Sequence, residues 1–129
     1  MAVRSALKPS WATVEKIGLA LPEVEAGRSW GSPALLIRGT MFACIPTNKS
    51  AEKDSIVVRL DFAQRDELLA AEPDVYYLKE HYVNYPCILA RLKKIHPDAL
   101  HDLIGMAWAY MNKQAPRRRS VKAKTRKSR

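Results

Sequence analysis

Apolar residues recur at intervals of three and four near the start of the chain: Trp11, Val14, Ile17 and Leu21. That spacing predicts an amphipathic helix with one face turned to a core. Ser10 stands where an N-cap belongs, since a hydroxyl there can accept from an orphan first-turn amide. Leu21-Pro22 ends the helix, because proline disfavours helical geometry in the residue before it. From Glu23 to Ile45 the pattern changes to β-rich runs broken by turn residues. Trp30-Gly31-Ser32-Pro33 reads as a turn. Ala34–Arg38 and Met41–Ile45 are short apolar runs joined by Gly39-Thr40, which fits a tight hairpin. Residues 46–54 are polar and predict a loop. Ser55–Leu60 is β-branched and predicts a strand.

The second half repeats this alternation. Asp61 is placed to cap a second helix, with Gln64 three residues on as in a capping box. Leu68 and Leu69 face inward, and Glu72-Pro73 ends the element. Val75–Leu78 and Cys87–Leu92 are strand candidates, separated by the aromatic and polar segment 79–86. Pro97 suits the first turn of a last helix. Leu100, Leu103, Ile104, Ala107, Trp108 and Met111 give that helix one broad apolar stripe. The order helix, strands, helix, strands, helix predicts an α+β domain: an antiparallel sheet with flanking helices packed on one face. Three segments are expected: a flexible N-terminal stretch over 1–9, the domain over 10–115, and a basic tail over 116–129.

Composition changes this picture at one place. The 129 residues carry a formal charge of +9. Residues 1–116 hold 14 Lys and Arg against 13 Asp and Glu, leaving +1. The other +8 comes from Arg117, Arg118, Arg119, Lys122, Lys124, Arg126, Lys127 and Arg129, with no acid among them. Val121 is the single large apolar residue there, so this segment cannot bury enough surface to offset its ordering entropy; composition predicts disorder. No apolar stretch approaches a bilayer span and no signal peptide is apparent, so a cytoplasmic location is expected. Cys44 and Cys87 lie in apolar runs and read as buried thiols rather than a disulfide framework.

Candidate chemistry is sparse. GxGxxG, GxxxxGK[ST], HExxH and CxxC are all absent. His81, His96 and His101 stand at no diagnostic zinc spacing relative to each other or to the cysteines. Neither a catalytic residue nor a metal or cofactor site is assigned, and no enzyme activity is expected. Binding residues are easier to name. The run Tyr76-Tyr77-Leu78-Lys79-Glu80-His81-Tyr82-Val83-Asn84-Tyr85-Pro86 mixes aromatic rings and cations, which can stack on bases and contact phosphates, or can pack as core and rim. Arg91, Lys93 and Lys94 add local positive charge, or blunt a sheet edge. The eight cations of 117–129 supply nonspecific affinity by releasing counterions from a phosphate backbone.

Several segments together resemble the MmcQ/YjbR family from about Val14 to Lys113. They are Leu21-Pro22-Glu23, Trp30-Gly31-Ser32-Pro33, Arg38-Gly39-Thr40-Met41-Phe42-Ala43, Ser55–Leu60, His81–Pro86, Pro97–Ile104 and Ala107-Trp108. The resemblance implies a fold like that of the bacterial frataxin homologue CyaY and the family description of DNA-binding proteins. The scattered carboxylates Glu15, Glu23 and Glu25 do not form the acidic ridge that frataxin-like iron binding needs. The expectation is binding of DNA, or RNA, with low sequence specificity. Its residues are the eight tail cations together with Lys79, Arg91, Lys93 and Lys94. The alternative is a protein-interaction or regulatory module without catalytic activity. No membrane partner is expected.

Overall fold

A computed structural model describes residues 9–115. The elements are α1 (Trp11–Leu19), β1 (Val24–Ser29), β2 (Ser32–Ile37), β3 (Thr40–Cys44), β4 (Ser55–Arg59), α2 (Phe62–Ala71), β5 (Tyr76–Tyr77), a 3-10 turn (Glu80–Tyr82), β6 (Cys87–Arg91) and α3 (Pro97–Gln114). The strands form one antiparallel sheet in the order β1-β2-β3-β4-β6-β5. The expected α+β class and the strand-rich hairpins are therefore observed.

Local chemistry sets the element ends. The Ser10 amide donates to Thr13 Oγ1 at 3.1 Å, and Asp61 Oδ1 accepts from the Gln64 amide at 2.8 Å. α3 starts differently: His96 Nδ1 accepts from the Asp98 amide at 3.0 Å, with Pro97 in the first turn. Both β1–β2 and β2–β3 close through two-residue turns, Trp30-Gly31 and Arg38-Gly39. All four of these residues have positive φ, at 50°, 81°, 47° and 82°. That is the type I′ geometry whose twist matches paired strands. Arg38-Gly39, rather than Gly39-Thr40, forms the second turn. β1 is a strand that the apolar pattern alone does not mark.

The sheet buries both faces unequally. Period-2 alternation sends Ile56, Val58, Ile88, Ala90 and Tyr76 to the helical side, with Val14, Leu100, Leu103 and Ile104 from the helices. Val57, Leu89, Cys87 and Tyr77 point to the opposite side, where Tyr82 and the partly buried Leu78 and Ala51 cover them. A bulge between Leu35 and Leu36 leaves Phe42 without a partner in the β2–β3 register. The extra residue lets both Phe42 and Ala43 join the helical-side core. Trp108 Nε1 donates to the Pro22 carbonyl at 3.0 Å, tying α3 to the segment leaving α1.

Candidate nucleic-acid interface

Tyr77, at the edge strand β5, organises the cations expected in the folded domain. Its hydroxyl accepts from the Glu52 amide at 2.8 Å and shares a 2.6 Å hydrogen bond with Ser55 Oγ. Its ring has the Arg91 guanidinium at 4.4 Å on one side and Lys79 Nζ at 5.9 Å, both within cation–π range. Arg91 grips Glu52 bidentately, at 2.8 and 2.9 Å, and also donates to the carbonyls of Asp74 (2.9 Å) and Pro73 (3.2 Å). The Arg91 hydrogen bonds hold the Glu52 carboxyl below its usual range, and Glu52 in return raises Arg91. A phosphate reaching Arg91 must displace Glu52, so Arg91 acts as the tie between the 46–54 loop and β6.

The other cations are more available. Lys93 Nζ lies 3.3 Å from Asp54 Oδ2, with both groups largely exposed; such a pair is worth about 0–1 kcal/mol and yields readily to a stronger anion. Lys94 is exposed, and Lys79 half-buried. The structure thus brings Lys79 and Arg91 together around one ring, and places Lys93 and Lys94 in the turn after β6. Arg117, Arg118, Arg119, Lys122, Lys124, Arg126, Lys127 and Arg129, and with them the expected disorder of the tail, lie outside the described residues.

The fold sorts the aromatic run. Tyr76, Tyr77 and Tyr82 are buried, while Tyr85 remains 58% exposed and His81 is exposed. Two arginines that the charge pattern did not single out lie beside this run. Arg65 is buried; its Nη1 donates to the carbonyls of Val83 (2.8 Å) and Tyr85 (3.3 Å), and its guanidinium covers the Phe62 ring at 4.7 Å. Arg59, half-buried at the end of β4, has no hydrogen bond or ion pair to an acid among the described residues. Strand alternation was the available signal for Arg59, since it shares a face with Val57.

Cys44 and Cys87 are buried on that same sheet face, and burial pushes each thiol up to about 11 against the partial relief that Arg59 provides. Thiolate is the reactive form. At pH 8 the native protein is expected to resist alkylation by iodoacetamide and to react at both cysteines once unfolded in urea. Rapid labelling of the native protein, read by intact mass, contradicts this burial.

Charge is also sorted between layers. The helices with their caps, 10–20, 61–72 and 96–115, hold seven Asp and Glu against three Lys and Arg. The rest of the described residues hold six acidic against nine basic. A groove of 660 Å³ between the helices is lined by Ile17, Leu21, Asp61, Asp102, Met106 and Tyr110 among others. Lys113 also lines it, so its two carboxylates leave it a net negative charge, and the acidic layer around it opposes a polyanion. No three His, Cys, Asp or Glu side chains among the described residues are grouped to hold a metal ion. No helix among them is long and apolar enough to cross a membrane.

A six-stranded antiparallel sheet backed by three helices defines a class of small α+β domains. Within that class the chain belongs to the YjbR family, whose sequence model matches residues 19–110. The chain is also similar to uncharacterized proteins of Mycobacterium bovis and of two Mycobacterium tuberculosis strains. Each is 38% identical over 65 residues, covering 50% of this chain and 48% of the relative. The chain thus matches about half the length of these curated relatives.

Proposed function

We propose that this protein binds DNA or RNA through the phosphate backbone, with low sequence specificity and without catalysis. The basic segment 117–129 supplies most of the affinity, and Lys79, Lys93 and Lys94 supply secondary contacts on the domain. The observation that carries this reading is the separation of charge. Residues 117–129 hold eight Lys and Arg and no acid, whereas residues 9–115 hold 12 Lys and Arg against 13 Asp and Glu. A polyanion therefore finds its partner outside the balanced domain, and on the domain it finds the sheet and loops rather than the acidic helices.

A salt titration of duplex binding tests this. Each cation that neutralises a phosphate contributes about −0.9 to the slope of log K against log salt. The whole chain is expected to show a steep slope, and a full-length variant with all eight Lys and Arg of 117–129 changed to Gln a shallow one. That variant should lose roughly 100-fold or more in affinity at 0.1 M salt. Unchanged affinity and slope would remove the segment from the mechanism.

A further inference from the structure

We infer that Tyr85 and His81, with Arg59 on the strand paired to the residues that follow them, form a stacking platform for unpaired bases, so the protein prefers single-stranded nucleic acid to duplex. This rests on the nucleic-acid reading above and names the substrate form that the domain selects. Four residues of the 76–85 run are tyrosine. Three of them are taken into the fold, and Tyr85 is left 58% exposed. Two apolar side chains whose residues Arg65 also contacts are open as well: Phe62 is 46% exposed and Val83 is 44% exposed.

The ring is exposed but its backbone is held. The Tyr85 amide donates to the Tyr82 carbonyl at 3.1 Å, and the Tyr85 carbonyl accepts from the Cys87 amide at 2.8 Å and from Arg65 Nη1. His81 is braced edge-on against the buried Tyr82 ring, with centroids 4.7 Å apart and an angle of 87°. The His81 and Tyr85 rings lie 6.4 Å apart, tilted by 44°. Two exposed rings on an anchored turn lose little freedom when a base stacks on them. In a duplex, base faces are covered by neighbouring bases, whereas an unpaired base offers its π-face to any ring.

A cation on the paired strand fits the same ligand. Arg59 pairs in register with Cys87, two residues after Tyr85, and the adjacent Leu60 amide donates to the Pro86 carbonyl at 3.1 Å. With no acid partner among the described residues, Arg59 has its charge available for a phosphate. Arg65, which also lies close by, is committed to the Val83 and Tyr85 carbonyls and fixes the turn instead. Rings for bases and a nearby guanidinium for the backbone are the two components of single-strand recognition.

Fluorescence anisotropy on the full chain tests this, using a labelled single strand and a duplex, each about 20 nucleotides long, at one salt concentration. The single strand is expected to bind more tightly. Tyr85→Ala should lower its affinity about tenfold, the equivalent of one lost base stack, and His81→Ala by a smaller factor. Both should leave duplex affinity and the single-strand salt slope unchanged, and Tyr85→Phe should restore single-strand binding. Equal binding of both probes with no response to Tyr85→Ala overturns the platform and leaves the nucleic-acid reading standing. If neither probe binds at low salt, both fall.

Discussion

Replacing Arg38 by alanine is expected to lower stability by about 3 kcal/mol, a sizeable fraction of the roughly 5–15 kcal/mol that separates a native domain from its unfolded chain. Arg38 occupies the β2–β3 turn, yet its side chain is only 2% exposed. Nη1 contacts Glu23 Oε1 at 2.6 Å and Asn112 Oδ1 at 3.1 Å, and Nη2 donates to the carbonyls of Asn112 at 2.8 Å and Ala115 at 3.4 Å. These carbonyls belong to the last turn and the cap of α3, where no intrahelical donor remains and the helix dipole favours a cation. Alanine removes the cation and leaves those acceptors without their donor, a loss of about 1–3 kcal/mol by itself. Glu23 is half exposed, so losing that pair adds less. Arg38→Lys keeps the charge but not the planar fork and should recover only part of the loss. Urea denaturation checks this: the midpoint should fall with the slope unchanged. A midpoint shift equal to that of an exposed Arg→Ala control would refute the clamp.

The second large effect concerns the approach of α1 to the sheet. A Cβ built on Gly18 lies 2.3 Å from Leu35 Cδ1, and Leu35 is fully buried. In an exposed helix interior Gly→Ala would gain about 1 kcal/mol of propensity. Here it forces Leu35 or the whole helix to move, a cost of about 1–3 kcal/mol. Gly18→Val adds two methyl groups to the same contact and should cost about 3 kcal/mol or more. A double-mutant cycle separates contact from propensity. Leu35→Ala alone should cost about 2–5 kcal/mol by opening a cavity. In the Gly18→Ala background it should cost distinctly less, because the new methyl occupies part of the space. Additivity within about 0.3–0.5 kcal/mol would show that Gly18 and Leu35 do not compete for volume.

Much of the fold is legible from local chemistry. Ser10, Asp61 and Pro97 mark helix starts because caps depend on neighbours within one turn. β4 and β6 are legible because β-branched and apolar runs bury both faces of a central strand. β1 is not, since Val-Glu-Ala-Gly-Arg-Ser has little strand preference and only its pairing with β2 makes it extended. The aromatic run is legible as a mixture of core and surface. Which tyrosine is which depends on how the 3-10 turn sits over the sheet. The basic patch is similarly divided: Arg91 and Lys94 look alike in sequence, but Glu52, 39 residues away, engages Arg91 through loop closure.

What the sequence alone determines is what local spacing and summed charge can carry. That comprises the helix phases, the approximate places where the chain turns, the burial of both cysteines, and a polycationic segment beside a balanced domain. Tertiary structure alone decides which charges and rings remain available. It commits Arg38, Arg65 and Arg91 to backbone carbonyls and carboxylates distant in sequence. It leaves Tyr85 and His81 exposed and the half-buried Arg59 without an acid partner among the described residues, and it gathers acid on the helices. The physical reason is that availability is the difference between a group's solvation and its native partners, and those partners are set by contacts between residues far apart along the chain.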